Sequence, residues 1–189
     1  MTDASAESAS VAGVVLAAGE GRRFGGPKAP YVHEGERLVD RSVRLLREAG
    51  CDPVFVILGA WEGRVDDALV IVNHGWEEGM GSSLRIALKW VNATTEADHA
   101  LITLVDLPGL TTEALARVAQ APGGLAVATF DGERGHPVRI PREHFRHLID
   151  TVAGDAGART FLSGRDDVSF IELGDIADGR DMDEAPSAR

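Results

Sequence analysis

Short apolar runs alternate along the chain with segments in which apolar residues recur at helical spacing. The runs predict buried strands at residues 11–17, 53–58, 69–73, 100–105, 125–129, 137–140 and 168–172. The helical spacing predicts helices at residues 37–49, 82–91, 111–121, 141–149 and 156–162, with a short helical turn after Trp61. Strands that alternate with helices are typical of an α/β protein.

Several residues mark where these elements begin and end. Gly50 is a good C-terminal stop for the first helix, and Thr111 or Thr112 suits the N-cap of the third. The pair Asp131-Gly132 predicts a hairpin turn, so one strand should run antiparallel to the others. We therefore expect a three-layer α/β/α sandwich with a mostly parallel sheet, of the Rossmann-like kind. Residues 1–10 are expected to be a disordered tail, and residues 11–189 a single domain.

The acidic balance of the chain limits its partners. Its formal net charge is -11 over 189 residues, which disfavours nucleic acid and anionic membrane surfaces as partners. No apolar run approaches membrane-spanning length, and the first ten residues lack the pattern of a signal peptide, so a cytoplasmic protein is expected. Cys51 is the only cysteine, and a small buried residue is its expected role.

The segment after the first predicted strand is an exception to this acidity. Residues 18–36 are rich in glycine, and Pro27 and Pro30 interrupt any helix there. Ligands bind beyond the carboxyl ends of parallel strands, and glycine lets backbone N–H groups approach a ligand closely. The cations Arg22, Arg23 and Lys28 lie in the same loop. The combination indicates a phosphate-binding loop.

Two common phosphate loops fit this segment poorly. A P-loop needs Gly-x-x-x-x-Gly-Lys-Ser/Thr, and Ala29 follows Lys28 where that motif supplies a hydroxyl. The dinucleotide fingerprint needs Gly-x-Gly-x-x-Gly before a helix, and Phe24 stands where the third glycine belongs. Nicotinamide dinucleotide binding is therefore weakened as an interpretation, although it stays open.

The stretch from Leu16 to Lys28 resembles a third type. It matches every fixed position of Leu-Ala-Ala-Gly-x-x-x-Arg-x-Gly-x-x-Lys, the signature of the nucleotidyltransferases with a glycosyltransferase-A-like fold. Four later segments resemble the MobA/MocA-like family, and within it the molybdenum cofactor cytidylyltransferases. They are Gly-Met-x-x-Ser-Leu at 79–84, Asp-x-Pro at 106–108, Gly-His-Pro at 135–137 and Gly-Asp-x-Gly-Ala-Arg at 154–159.

The resemblance implies a role for each matching residue. Arg23, Lys28 and Asp106 would be catalytic, and Asp106 with Asp181 or Asp183 would hold Mg²⁺. His136, Asp155 and Arg159 would bind the acceptor. The residues that would bind the nucleotide lie in the first loop and at the start of the second long helix: Leu16, Ala17, Ala18, Gly19, Gly21, Lys28, Gly79, Ser82 and Ser83.

The residues themselves leave simpler roles open. Asp106 could form a turn before Pro108, and the segment 79–83 could do no more than cap a helix. His136 could be structural, and Arg159 could be an exposed helix residue. The tail from Asp181 departs from the family pattern Asp-x-Asp-Thr-Pro-Glu-Asp, so it could be a solvated acidic segment.

The function expected from the resemblance is Mg²⁺-dependent transfer of CMP from CTP to the phosphate of molybdopterin carrying molybdenum, with release of pyrophosphate. The spelling Leu-Ala-Ala-Gly resembles the cytidylyl branch of the family more than the guanylyl branch, although GTP stays open as the nucleotide. A molybdenum hydroxylase would be a partner for the product. Three alternatives stay open: a sugar phosphate or other alcohol phosphate as acceptor, a nicotinamide-dependent oxidoreductase that reuses the fold, and a carrier that hands on the cofactor without consuming CTP.

Overall fold

The computed structural model describes residues 9–154 and 157–184, and a seven-stranded sheet forms its centre. Its strands are β1 (Val11–Leu16), β4 (Val54–Leu58), β5 (Leu69–Val72), β6 (His99–Leu104), β7 (Leu125–Phe130), β8 (Glu133–Pro141) and β9 (Val168–Glu172). Their order across the sheet is β5-β4-β1-β6-β8-β7-β9. Only β8 runs antiparallel to its neighbours, β6 and β7, whereas the other pairs are parallel. The prediction of a mostly parallel sheet with one antiparallel strand is confirmed.

Helices cover both faces of this sheet. They are α1 (Leu38–Glu48), α2 (Met80–Thr94), α3 (Thr112–Ala119), α4 (Phe145–Thr151) and α5 (Arg159–Leu162). Alternate residues of β1 point into two separate cores, because successive side chains of a strand face opposite sides. Val11 and Val15 pack with α1 and α3, whereas Val14 and Leu16 pack with α2 and α4. The expected three-layer sandwich is therefore confirmed.

The predicted helix and strand ends agree with the structure at two informative points. The Thr111 hydroxyl accepts a hydrogen bond of 3.1 Å from the Ala114 N–H, so Thr111 is the N-cap of α3. Asp131 and Gly132 have φ angles of 52° and 81°, which suit the tight turn that joins the strands of a hairpin. That turn joins β7 to β8 and makes β8 the antiparallel strand.

Some local predictions were wrong. The segment after Trp61 forms no helical turn; a 3₁₀ turn occurs instead at Trp76–Glu78. Residues 18–36 contain part of a small hairpin, β2 (Val32–His33) and β3 (Glu36–Arg37), which the sequence analysis missed. Its two strands are too short to show an apolar alternation, which explains the miss.

The C-terminal segment folds back over the loop that follows β6. The Met182 N–H donates to the Asp106 carbonyl at 2.8 Å, and the Asp178 N–H donates to the Gly109 carbonyl at 3.1 Å. A Cβ added at Gly109 would lie 2.6 Å from the Cβ of Asp178, closer than real Cβ atoms approach. These contacts bring the acidic tail beside Asp106.

The described helices include none that is long and apolar enough to cross a membrane. Cys51 is buried, and burial raises the pKa of its thiol to about 12. It is therefore the small core residue that the sequence analysis expected. Residues 1–8 of the predicted disordered tail lie outside the described residues. Ser10, at the end of that segment, is held by a hydrogen bond of 2.8 Å from its N–H to the Asp98 carboxylate.

Candidate functional site

The glycine-rich loop begins where β1 ends and folds tightly on itself. The Gly25 and Gly26 N–H groups donate to the Gly21 carbonyl at 2.9 and 3.2 Å. Gly21 has a φ of +63°, and a Cβ there would lie 2.0 Å from the Gly26 carbonyl oxygen. Only glycine fits at this position. The loop lies beside the carboxyl ends of the parallel strands, as the sequence predicts.

A cavity of about 450 Å³ lies under this loop, between the ends of β1 and β6 and the start of α2. We call it the first cavity. Most of the residues predicted to contact the nucleotide or the metal line it: Leu16, Ala17, Ala18, Gly19, Gly21, Lys28, Gly79, Ser83 and Asp106. Its wall also contains Arg22, Trp76 and Met80.

A cluster of charged side chains lies at the edge of the first cavity. Lys28 Nζ is 2.8 Å from the Asp106 carboxylate and 3.8 Å from that of Asp183, and Lys28 is only 14% exposed. Asp183 also pairs with Arg23, at 3.3 Å. Burial raises the pKa of Asp181, and the negative charges of Asp106 and Asp183 raise it further. Three carboxylates and two cations therefore lie within electrostatic reach of one another.

A second cavity, of about 930 Å³, adjoins the first. Met80 and Leu104 line both cavities. The second cavity contains His136, Arg159 and Asp181, together with residues of the β7–β8 turn. Desolvation lowers the pKa of His136 to about 4, so its imidazole is neutral at physiological pH. Asp155, the other residue predicted to bind the acceptor, lies outside the described residues.

Comparison with known proteins places this geometry in a family. Residues 13–168 match the family described as the MobA-like NTP transferase domain. The chain belongs to this family. The resemblance of the five sequence motifs to the MobA/MocA-like family is thereby confirmed. Membership of a nucleotidyltransferase family accounts for a triphosphate-type loop beside a carboxylate.

Two curated relatives span almost the whole chain. The nicotine blue oxidoreductase of Paenarthrobacter nicotinovorans is 36% identical over 190 residues, which covers 92% of each chain. A protein of Mycobacterium tuberculosis (strain ATCC 25177 / H37Ra), named as a probable molybdenum cofactor guanylyltransferase, is 32% identical over 196 residues. That match covers 100% of this chain and 94% of the relative. Relatives of this chain thus carry names from two different reaction classes.

The fold is also similar to solved structures. The crystal structure of a protein from Mycobacterium tuberculosis H37Rv superposes with a TM-score of 0.75 and 27% identity, covering 88% of this chain and 89% of that one. Another crystal structure of the same mycobacterial protein is a complex with manganese. Manganese is therefore present in one solved structure that is similar to this chain.

The donor set of the carboxylate cluster suits a divalent metal. Among the described residues, no group of three His, Cys, Asp or Glu side chains is arranged to hold a metal ion. Mg²⁺ is usually held by one or two carboxylates together with substrate phosphates. The negative charges of Asp106 and Asp183 raise the pKa of Asp181, and a bound cation would relieve that repulsion. These residues therefore fit a metal site that the substrate completes.

Three of the predicted residues that the structure describes lie outside the lining of the two cavities: Arg23, Ser82 and Asp183. Arg23 is 79% exposed and pairs with Asp183, whereas its neighbour Arg22 lines the first cavity. Ser82 is buried, and its hydroxyl donates to the Gly79 carbonyl at 2.9 Å. This bond lies at the first turn of α2 and is not a helix cap, because no side chain caps the N-terminus of α2.

Sequence reasoning missed Asn73, a buried polar residue whose amide donates to the serines of α2. Trp76 is structural by default on sequence grounds, but it lies inside a matching motif and was therefore a candidate to line the site; it lines the first cavity. A polar residue directly after a predicted buried strand was the available indication for Asn73, because strand ends carry the ligands in such folds.

Glu172 holds the turn at the rim of the second cavity. The Gly174 N–H, the Thr129 hydroxyl and the N–H groups of Gly132 and Asp131 all donate to its carboxylate. Together these hydrogen bonds lower the pKa of Glu172 to about 2, the Gly174 N–H contributing most. The ionised carboxylate therefore ties the end of β9 to the β7–β8 turn.

Glu172→Gln is expected to destabilise the protein in a pH-dependent manner. The folded-state pKa is lower than the ordinary value of 4.5, so the carboxylate stabilises the fold above that value. This contribution to stability is lost as the pH falls from 4.5 to about 2. Denaturant titrations should show the largest difference between wild type and variant above about pH 5. Glu133→Gln, exposed on the same hairpin, is the control; equal pH dependence in both variants would contradict this role.

Proposed function

We propose that the protein transfers a nucleotidyl group from a nucleoside triphosphate in the first cavity to a phosphate of an acceptor in the second, with Mg²⁺. One observation carries this proposal: the carboxylate cluster lies where the two cavities meet. Asp106 lines the first cavity and Asp181 lines the second. The negative charge of Asp106 raises the pKa of Asp181. An in-line transfer needs the two substrates to approach each other at such a junction.

The chemistry requires positioning and neutralisation of charge more than a protein nucleophile. A phosphate oxygen of the acceptor would attack the α-phosphorus, and the bond from that phosphorus to the bridging oxygen of the β-phosphate would break, so pyrophosphate leaves. N–H groups of the glycine-rich loop and the Lys28 ammonium would neutralise the charge that develops on the phosphates. Asp106, with Asp181 or Asp183, would hold Mg²⁺, which would supply positive charge to neutralise the phosphates.

The second cavity suits an acceptor that carries a phosphate. Arg159 lines it and can form paired hydrogen bonds with phosphate oxygens. Its neighbour His136 is neutral at physiological pH, so one of its ring nitrogens can donate a hydrogen bond while the other accepts one. We propose a molybdopterin-type acceptor, which the names of the guanylyltransferase relatives support, and a molybdenum hydroxylase as the recipient of the product. A sugar phosphate is the alternative that an acceptor panel would test.

CTP is the nucleotide that the Leu-Ala-Ala-Gly spelling of the loop favours, and GTP is the nucleotide that the relatives' names favour. We expect one of them, with Mg²⁺, to raise the thermal unfolding temperature strongly. A ligand at 100 times its dissociation constant adds about 2.7 kcal/mol to stability. ATP and UTP serve as controls. No protection by either CTP or GTP would contradict the proposal.

A second function is favoured by one relative. The nicotine blue oxidoreductase covers 92% of this chain at 36% identity, and a cavity lined by glycines and Arg22 could bind the pyrophosphate of a nicotinamide dinucleotide. A titration that follows tryptophan fluorescence, with NADPH and with CTP plus Mg²⁺, separates the two functions, because Trp76 lines the first cavity. Tight binding of NADPH without any metal requirement would favour the reductase.

A further inference from the structure

Two arginines of the second cavity differ from the other arginines that the structure describes. Those others pair with a carboxylate or donate to backbone carbonyls. The guanidinium groups of Arg134 and Arg159 form no hydrogen bond or ion pair within residues 9–154 and 157–184, although Glu133 and Asp181 line the same cavity. In a chain with a formal net charge of -11, two unneutralised guanidinium groups in one cavity favour an anionic ligand there.

Phe170 defines the position of the Arg134 side chain. The guanidinium carbon of Arg134 lies 4.6 Å from the centroid of the Phe170 ring, and Phe170 is 47% exposed on β9. A cation over an aromatic face is attracted by the charge distribution of the ring. A guanidinium that stacks in this way keeps the N–H groups in its own plane available to an anion. Phe170 therefore holds Arg134 without neutralising its charge.

Glu172, the carboxylate of β9 beside this pair, does not neutralise Arg134 either. Thr129 of β7 is the register partner of both Arg134 on β8 and Glu172 on β9. The Glu172 oxygens already accept hydrogen bonds from the Thr129 hydroxyl and from three backbone N–H groups. A carboxylate has about four acceptor sites, so these donors occupy them. Arg134 therefore lines the second cavity as an unpaired cation.

The two arginines lie at different parts of the second cavity. Arg159 is near the junction with the first cavity, because its charge and that of Asp106 both act on the His136 imidazole. Arg134 is on the β7–β8 hairpin and stacks on β9, the edge strand, which is three strands away from β6. One ligand that reaches both arginines would therefore need two separate anionic groups.

We infer that the second cavity takes an acceptor with two anionic groups: the phosphate that receives the nucleotidyl group, near Arg159, and a second phosphate or carboxylate, bound by Arg134. The role of the first group rests on the proposed function. The second group makes Arg134 a specificity-determining residue, which selects acceptors by the charge at their far end. A planar guanidinium can donate two parallel hydrogen bonds to either a phosphate or a carboxylate.

Two matched pairs of small phosphates test for the second anionic group. Fructose 1,6-bisphosphate and fructose 6-phosphate differ by one phosphate, and 6-phosphogluconate and glucose 6-phosphate differ by one carboxylate. The first cavity is filled beforehand with the α,β-methylene analogue of CTP or GTP and Mg²⁺, which releases no pyrophosphate. In calorimetric titrations we expect the wild type to bind the member with two anionic groups about 10-fold more tightly in at least one pair, the effect of charge-assisted hydrogen bonds. The pair that shows the preference distinguishes a phosphate from a carboxylate.

Variants assign this preference to Arg134. Arg134→Gln is expected to abolish it, whereas Arg159→Gln should weaken binding of all four compounds. Phe170→Leu keeps an apolar side chain but removes the ring, so it should reduce the preference about threefold. Arg146→Gln removes an exposed arginine of α4 that pairs with Asp150; it is the matched control and should retain the full preference.

The outcomes separate this inference from the proposed function. Equal binding of the two members in both pairs by the wild type would overturn the inference. A preference that Arg134→Gln retains, or that Arg146→Gln loses equally, would also overturn it, because net charge or another residue would then be responsible. A wild type that prefers two anionic groups, but releases no pyrophosphate from CTP or GTP with a molybdopterin-type or sugar phosphate acceptor, would overturn the proposed function and leave the anion site of Arg134 in place.

Discussion

Asp106→Ala and Lys28→Ala are each expected to lower the rate of pyrophosphate release from the triphosphate by on the order of 100-fold or more. Lys28 Nζ and the Asp106 carboxylate are 2.8 Å apart and both are largely buried. Lys28 would neutralise phosphate charge in the transition state, and Asp106 would hold the metal. An electrostatic contact in such a water-poor site is worth more than one at the surface, because solvent screens it less.

Matched controls separate this effect from a general change of surface charge. Lys89→Ala removes an exposed lysine of α2, and Asp66→Ala removes an exposed aspartate; both should retain wild-type rates. A coupled assay for pyrophosphate, with Mg²⁺ varied, measures all four variants. Near wild-type turnover in both Lys28→Ala and Asp106→Ala would exclude the proposed mechanism. Reduced turnover that excess Mg²⁺ restores only in Asp106→Ala would fit its role as a metal ligand.

The sequence predicts the parts of this site that local patterns control. The strand from Val11, the loop from Gly19 to Lys28 and the position of Asp106 follow from apolar runs and their ends, because parallel strands deliver their carboxyl ends to one edge. Lys28 and Asp106 are 78 residues apart in sequence, yet both lie at that edge. The correct fold class was therefore enough to predict that these two residues lie close together.

The position of the acidic tail could not be predicted in this way. Asp181 and Asp183 reach the site because the tail pairs its backbone with that of the loop after β6, and because Gly109 leaves room for Asp178. No periodicity in the tail encodes such a contact, since the bonds join backbone groups far apart in sequence. The same limit applies to Ser82 and Ser83. The sequence does not distinguish these adjacent serines, whereas in the structure Ser83 lines the first cavity and the Ser82 hydroxyl donates to the Gly79 carbonyl.

Arg139, within the predicted strand at residues 137–140, has a structural role that the sequence does not indicate. It is 2% exposed, and its guanidinium donates to four backbone carbonyls rather than to a carboxylate. Two of them, Ala119 and Ala121, lie at the C-terminal end of α3. The others, Gly123 and Gly124, lie in the connection to β7. Burial lowers the pKa of Arg139, but a guanidinium stays charged.

Arg139→Leu is expected to lower the free energy of unfolding by about 3 kcal/mol or more, because it leaves several buried carbonyls without donors and removes a cation from a helix C-terminus. Urea titration measures this loss. Arg139→Lys should recover only part of it, since an ammonium cannot reproduce the planar fork that reaches four carbonyls. Arg117→Leu, at an exposed ion pair of α3, should cost less than about 1 kcal/mol. An equally small cost for Arg139→Leu would show that water replaces the guanidinium, and that α3 and β7 are held together by apolar packing alone.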